Sequence, residues 1–193
     1  MTTLEEQLRS LHAAPPRELE EATLVATGAA DQVVLTDSPI GAVWVAWSRR
    51  GVTGVTPRFA AGDIDAFMGH HRRRSYAAKR LPSDLADIVT EGLETGDTSG
   101  VPVDLSGVAA FQRSVLLSCS SIPLGSVRPY GWIATDIGNP GSVRAVGTAL
   151  GRNPIPLIIP CHRVVRSDGS IGEYAFGPDL KRQLLVREGA ILA

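Results

Sequence analysis

The chain has 193 residues, of which 44% are hydrophobic and 20% charged, and it carries a net charge of −1. This is the composition of a globular protein with its own core. No segment reaches the roughly 18 consecutive apolar residues of a membrane span, and the first residues lack the basic and apolar regions of a secretory signal. Two cysteines form no disulfide framework, and a reactive thiol suits a reducing compartment, so we expect a cytoplasmic protein that binds no membrane.

The two halves of the chain differ in charge. Residues 1–100 hold 10 basic and 14 acidic side chains, whereas residues 101–193 hold 9 and 6. A difference of this size is common on solvated surfaces. It nevertheless makes the C-terminal half the better candidate for contact with an anionic partner such as DNA.

The N-terminal half predicts a small antiparallel sheet. Its apolar and β-branched runs, separated by turn residues, favour strands at residues 32–36, 42–47 and 52–55. Helices are expected at residues 4–11, 63–68 and 81–93, the last with Ser83 as its N-cap. The Gly-, Thr-, Ser- and Asp-rich residues 94–100 are typical of a linker between two domains.

The second half predicts a mainly helical domain, with helices at residues 108–121, 130–137, 143–150 and 180–188. The apolar face of the first is expected to hold Phe111, Val115, Leu116 and Cys119. The second and third are joined by a short turn, with Ser142 as an N-cap. DNA-binding helix-turn-helix units share this arrangement with many other helical hairpins. A β-hairpin is expected at residues 164–172, with Asp168-Gly169 at its turn.

These elements together predict an α/β (α+β) fold in three parts. Residues 1–30 form an N-terminal extension, and residues 31–100 form a small antiparallel β-sheet domain with its linker. Residues 101–193 form a mainly helical domain with a winged-helix-like helix-turn-helix.

The segment with the most reactive chemistry is Pro160-Cys161-His162-Arg163-Val164. A cysteine thiolate is a strong nucleophile, and neighbouring cationic or proton-accepting groups raise its population. A lone cysteine is more often a small buried hydrophobe, and the preceding Ile158 and Ile159 favour burial, so the residues alone leave both interpretations open. The other cysteine, Cys119, is assigned to the core.

In a turn, His162 can act together with the cysteine, and a carboxylate would then orient and charge its imidazole. Three acidic residues are candidates for that role, and the residues alone do not choose among them: Asp168, Glu173 and Glu188. The adjacent His70 and His71 precede three arginines and are expected in an exposed basic loop rather than in a metal site.

The helix at residues 143–150 has an unusual amount of small side chains near its start. Arg144 is surrounded there by Gly141, Ser142, Ala145 and Gly147. Alone, Arg144 is an ordinary surface arginine. A helix face made of small residues can approach another surface closely, which suits contact with a groove.

The chain also carries a long ordered series of motifs, which occur at fixed spacing: Phe111-Gln112, Ile122-Pro123, Tyr130-Gly131, Gly138-Asn139-Pro140, Arg144-Ala145-Val146-Gly147, Asn153-Pro154, Pro160-Cys161-His162-Arg163-Val164 and Glu188-Gly189. In this series residues 108–189 resemble the DNA-repair alkyltransferases that act on O6-alkylguanine, the methylated-DNA–protein-cysteine methyltransferases. The N-terminal half resembles the family weakly, mainly through Ser38-Pro39 before a strand.

This resemblance implies a catalytic set. Cys161 would accept the alkyl group irreversibly and only once. His162 would act through a bound water as the base, Glu188 would orient and charge His162, and Asn153 would hold the turn that presents the cysteine. No metal or cofactor is expected, because the N-terminal half has no cysteines to hold the zinc that some relatives carry.

The resemblance also implies substrate and DNA contacts. Tyr130 would donate a hydrogen bond to a flipped guanine, the backbone of Cys161 and Val164 would accept from its exocyclic amine, and Ala175 N–H would contact O6. Arg144 would fill the space of the flipped base, because the base is inaccessible inside the stack. The remaining DNA contacts would come from Ser142, Ala145, Gly147 and Arg163.

The expected activity is therefore direct-reversal repair of O6-alkylguanine, and of O4-alkylthymine, in double-stranded DNA. We expect a monomer in solution and leave open whether several molecules cooperate on DNA. Three departures from the family pattern stand out: Leu116 replaces the usual tryptophan, Ala175 replaces a serine, and the bulky Phe176 is expected to narrow the pocket. The competing hypotheses are a lesion-binding protein without transfer, a sequence-specific regulator and a cysteine hydrolase.

Overall fold

The computed structural model describes residues 16–192, so the helix expected at residues 4–11 lies outside the described residues. The N-terminal half begins with helix α1 (Arg17–Thr27) and contains the strands β1 (Asp31–Thr36), β2 (Val43–Ser48), β3 (Gly51–Pro57) and β4 (Ser75–Ala77). Its further helices are α2 (Arg58–Ala61), α3 (Ile64–His70) and α4 (Ser83–Thr95).

The four strands form one sheet in the order β3-β2-β1-β4. The pairs β1–β2 and β2–β3 are antiparallel, as expected, whereas β4 adds a parallel edge strand that the sequence pattern did not predict. All six residues of β2 are buried. One face of the strand joins the main core through Val43, Val45 and Trp47, and the other face packs Trp44 and Ala46 against a smaller cluster around the helix α3.

The C-terminal half is mainly helical, as predicted. It contains α5 (Ala110–Ser120), α6 (Tyr130–Asp136), α7 (Val143–Gly151) and α8 (Pro178–Arg187), with short 3₁₀ turns at Pro140–Ser142 and Cys161–Arg163. The helices α5, α6 and α7 pack against one another around Val115, Leu116, Ile133 and Val146. Leu116 is fully buried in this core, but Phe111, which was expected beside it, is 39% exposed.

The predicted hairpin at residues 164–172 is wrong. β6 (Val164–Val165) pairs in parallel with β5 (Arg128–Pro129), about 35 residues earlier in the chain. The turn at Asp168-Gly169 does form, with the Arg166 N–H donating to Ser170 O at 2.9 Å. No returning strand follows it in residues 171–177, which instead form an irregular loop that leads into α8.

One of the two predicted helix caps is wrong. Pro82, which has no N–H, occupies the N-cap position of α4, so Ser83 is the first helical residue. Ser142 does occupy the N-cap position of α7, as predicted, but its hydroxyl donates to Asn139 O at 2.7 Å instead of accepting from the start of α7. The backbone of the preceding turn therefore competes for the serine hydroxyl.

The segment expected to be a linker, residues 94–100, continues from a helix and packs against the C-terminal half. Residues 83–95 are the helix α4, and beyond it the buried Thr98 donates to Ile158 O at 2.7 Å. Further along, Val52 donates to Pro102 O and Asp104 donates to Val52 O, both at 2.8 Å. The division of the chain into three domains stays a prediction. Within residues 16–192, no helix has the length and apolar character needed to cross a membrane.

Candidate active site

Asn153 holds the loop that presents Cys161. Its Oδ1 accepts from Ile155 N–H at 3.0 Å, and its Nδ2 donates to Ile159 O at 2.9 Å and to the sulfur of Cys161 at 3.3 Å. One amide therefore ties the beginning and the end of the buried loop and contacts the thiol directly. Leu157 lies within this loop at a φ of 74°, an unfavourable value for leucine that the packed loop maintains.

Cys161 begins the 3₁₀ turn and lies at the wall of a cavity of about 230 Å³. It is 8% exposed. The other lining residues are Tyr130, Gly147, Leu150, Gly151, Glu173, Tyr174 and Ala175. Burial raises the pKa of the Cys161 thiol, and the hydrogen bond from Asn153 opposes this by favouring the thiolate.

His162 and Glu188 form a buried pair behind the cysteine. The Nε2 atom of His162 lies 2.8 Å from Oε1 of Glu188, and both side chains are at most 5% exposed. Burial lowers the pKa of His162, and the carboxylate only partly offsets this. The Nδ1 atom of His162 is buried and has no hydrogen-bond partner within residues 16–192. The raised thiol pKa and the lowered imidazole pKa together indicate that thiol and imidazole are both neutral at rest.

The geometry chooses among the three carboxylates that the sequence left open. Glu188 contacts His162, whereas Asp168 accepts from Ser170 N–H at 2.9 Å and the exposed Glu173 lies 3.6 Å from Arg166. Burial raises the pKa of Glu188, but hydrogen bonds from His162 and Arg163 more than offset it, so this pKa lies below its usual range. Glu188 is therefore ionised at neutral pH.

Arg163 does not lie on the surface, which contradicts its expected contact with DNA. It is 3% exposed, and its guanidinium donates to both oxygens of Glu188. The same group donates to Ile122 O at 2.7 Å and to Gly96 O at 2.6 Å. These four hydrogen bonds occupy the buried guanidinium. Arg163 is therefore held away from a DNA phosphate and fixes the position of Glu188 instead.

Two aromatic residues in the loop before α8 lie near the site. The ring of Tyr174 lines the Cys161 cavity and lies 6.3 Å from the ring of His162, edge to face. Phe176 does not itself line that cavity, and its expected narrowing of the pocket stays a prediction. Its ring packs edge to face against Tyr174 at 5.4 Å and against Phe59 of α2 at 6.2 Å.

Sequence reasoning missed two residues of this site, Tyr174 and Lys181. Lys181 is fully buried on α8, and its Nζ donates to Val164 O at 2.6 Å and to Glu173 O at 3.3 Å. Burial lowers its pKa to about 8. It thus joins β6 to the Tyr174 loop, and the carbonyl of Val164 keeps a second lone pair for another donor. No local pattern marks a lysine in an amphipathic helix as buried.

The expected DNA-contact residues of α7 lie on its outer side. Arg144 and Ala145 are exposed, Ser142 and Gly147 are half-buried, and Val146 faces the core. The ring of Tyr130 packs beside Gly147, where an added Cβ would lie 3.8 Å away. Tyr130, Gly147 and Ala175 therefore meet at the same cavity as Cys161.

Comparison with known proteins supports one family. A model described as "6-O-methylguanine DNA methyltransferase, DNA binding domain" matches residues 110–190. Methylated-DNA–protein-cysteine methyltransferases of two archaea are similar to the chain. That of Methanosarcina acetivorans is 51% identical over 80% of this chain and 96% of its own length, and that of Methanothermobacter thermautotrophicus is 50% identical over 79% and 81%. The chain belongs to this family.

One further relative is much longer than this chain, and two others have solved structures. The bifunctional Ada protein of Escherichia coli is 38% identical over 80% of this chain, which spans only 44% of Ada. The crystal structure of Mycobacterium tuberculosis OGT in complex with DNA matches with a TM-score of 0.67 and 32% identity, covering 83% of this chain and 93% of OGT. The O6-methylguanine-DNA methyltransferase of Pyrococcus kodakaraensis matches with a TM-score of 0.58 and 28% identity over 82% and 99%.

Proposed function

We infer that the protein repairs alkylated DNA by direct reversal, as a methylated-DNA–protein-cysteine methyltransferase. It transfers a methyl or larger alkyl group from O6-alkylguanine in duplex DNA to Cys161, and each molecule reacts once. The observation that carries this inference is the sulfur of Cys161, which contacts Asn153 and faces a cavity large enough for a base. O4-alkylthymine is a further substrate, because its alkyl carbon is also bonded to an exocyclic oxygen of the base.

The geometry of the site supports the roles that we propose for its residues. As the thiol loses its proton towards His162, the sulfur forms a bond to the alkyl carbon and the bond from that carbon to O6 breaks. Glu188 stabilises the charge that His162 acquires. The released guanine takes up one proton, so thiol and alkylguanine become thioether and guanine. Tyr130 assists this departure by donating its hydroxyl proton in a hydrogen bond.

Access to the base requires flipping, which costs a few kcal/mol. We propose that the small residues of α7 enter the minor groove, where sequence readout is poor, and that Arg144 fills the space of the flipped base. Poor readout suits repair, because lesions arise at any sequence. Phosphate contacts then supply most of the affinity. We further propose that the protein acts in the cytoplasm, whose reducing conditions suit its two free cysteines, and that it acts there as a monomer.

Intact-mass measurement before and after incubation with an O6-methylguanine duplex tests this function. The protein should gain one methyl group, about 14 Da, as a stable thioether on the nucleophile. Peptide mapping should place it on Cys161, and Cys161→Ser should remove transfer while Cys119→Ser keeps it. Multiple turnover would indicate a hydrolase, and binding without a mass change would indicate a lesion-binding protein.

A further inference from the structure

A second cavity, of about 290 Å³, lies between the N-terminal sheet and the first residues of the C-terminal half. It shares no lining residue with the Cys161 cavity. Its walls are rich in basic side chains, which come from both halves of the chain: His70, His71, Arg72, Arg73 and Arg152. The acidic lining residue is Asp104.

The acidic groups at this cavity are already compensated. Asp104 lies 3.4 Å from Arg73 and 3.3 Å from Arg50, and it accepts from Ser48 at 2.7 Å. The fully buried Asp31, behind the wall, pairs with His71 at 2.8 Å and with Arg73 at 2.9 Å. Arg72 and Arg152 are exposed and form no ion pair within residues 16–192. The mouth of the cavity is therefore positively charged.

The wall also contains a polar group without a partner. Thr53 of β3 lines the cavity and is only 6% exposed, and its hydroxyl has no hydrogen-bond partner within the described part of the chain. A buried hydroxyl without a partner is costly. An anionic oxygen bound in the cavity would satisfy this hydroxyl and would neutralise the arginines at the mouth.

The position of Arg152 connects the cavity to the proposed DNA-contact side of α7. The exposed residues Arg144 and Thr148 of α7 and Arg152 at its C-cap are spaced four apart, so they follow one side of the helix. At 1.5 Å per residue, Arg152 lies roughly 12 Å beyond Arg144 along the axis.

We propose that this basic cavity binds a phosphodiester group of the DNA flanking the lesion, through Arg72, Arg152 and the hydroxyl of Thr53. The N-terminal half thereby adds a phosphate contact beside those made through α7. Arginine suits this role, because its planar guanidinium donates two parallel hydrogen bonds to phosphate oxygens. The proposal rests on the proposed function, in which α7 enters the DNA.

The test compares the salt dependence of DNA binding by the wild type, Arg72→Ala and Arg72→Lys. Arg80→Ala is the matched control, because Arg80 is exposed and forms no ion pair in residues 16–192. Arg72→Ala should lower the slope of log K against log salt by about 1 and weaken binding severalfold, as expected for one lost phosphate contact. Arg72→Lys should retain most of the slope. All variants should react with free O6-methylguanine base at the wild-type rate.

A second arm uses two duplexes, one shortened to about two base pairs on the 5′ side of the lesion and the other on the 3′ side. The duplex that lacks the flank nearest the cavity offers it no phosphate, so wild type and Arg72→Ala should bind that duplex equally. Equal slopes for wild type and Arg72→Ala on the full duplex would overturn the proposal. Binding of inorganic phosphate, detected by ³¹P NMR, is the second readout. If Arg72→Ala lost that binding but kept the wild-type slope of log K against log salt on DNA, the cavity would bind free phosphate and not DNA, and the proposal would be overturned. Failure of the wild type to transfer the methyl group would overturn the proposed function instead.

Discussion

Arg163 donates to both carboxylate oxygens of Glu188, with Nε 2.8 Å from Oε2 and Nη2 3.0 Å from Oε1. The oxygen Oε1 also lies 2.8 Å from His162. The orientation of the imidazole therefore depends on an arginine that is itself anchored to the carbonyls of Ile122 and Gly96. Arg163, which was expected to contact DNA, therefore has a structural role inside the protein.

The first prediction concerns this buried network. Arg163→Ala should lower the free energy of unfolding by about 3–5 kcal/mol, because it leaves the buried charge of Glu188 uncompensated. It should also slow methyl transfer to Cys161. Denaturant unfolding and single-turnover rates measure the two effects. Arg74→Ala is the control, since the exposed Arg74–Glu20 pair should contribute at most about 1 kcal/mol.

A different result would restore the original interpretation. If Arg163→Ala kept its stability and its reaction rate with the free base but lost affinity for duplex DNA, Arg163 would contact DNA after all. Arg163→Lys refines the comparison, because lysine keeps the charge but lacks the planar fork. It should lie between wild type and the alanine variant in stability.

The second prediction is a loss of stability in acid. Burial lowers the pKa of His162 below 6.5, and hydrogen bonds from His162 and Arg163 outweigh burial to place the pKa of Glu188 below 4.5. A group with a lowered folded-state pKa contributes its full stabilisation above its unfolded pKa and loses it as the pH falls. The free energy of unfolding should therefore decrease as the pH falls below 6.5 and further below 4.5.

Glu188→Gln isolates the contribution of Glu188. The variant should show a smaller decrease below pH 4.5 than the wild type, because glutamine does not titrate. Part of that decrease should remain, because burial raises the pKa of Asp104 but hydrogen bonds from Ser106 and Ser48 more than offset it. Urea unfolding at a series of pH values measures this. A pH dependence identical to that of the wild type would show that Glu188 does not contribute through its ionisation.

The third prediction concerns Arg144, which is exposed at the first turn of α7. Arg144→Ala should react slowly with duplex DNA and at the wild-type rate with free O6-methylguanine, which requires no flipping. Part of the loss should return when the lesion is in a mismatch or opposite an abasic site, because extrusion then costs less. Equal slowing on duplex and free base would assign Arg144 to the fold or to the chemistry.

The fourth prediction concerns Phe176, which packs between Phe59 and Tyr174. Because Phe176 does not line the Cys161 cavity, Phe176→Ala should loosen Tyr174 and slow O6-methyl and O6-benzyl transfer by a similar factor. The ratio of the two rates with free bases is the measurement. Leu117→Ala, which removes an exposed apolar side chain of α5, is the control. A selective gain for the benzyl group would mean that Phe176 limits the size of the adduct.

Much of the protein follows from local patterns in the sequence. The three antiparallel strands and the helices of the C-terminal half lie close to their predicted residues, because hydrophobic period and turn residues act over a few positions. The segment around Cys161 and its resemblance to the alkyltransferases were also evident. The catalytic assignments based on them remain predictions until Cys161 is shown to carry the methyl group.

Only the tertiary structure decided which distant residues meet. It selected Glu188 over Glu173 and Asp168 as the partner of His162, buried Arg163 and Lys181, and paired β6 with β5 instead of with a following strand. Local pattern describes which face of an element is apolar, but a charged residue is buried only when a distant partner offsets its desolvation. Those partners lie 8 to 67 residues away along the chain, so packing alone brings them together.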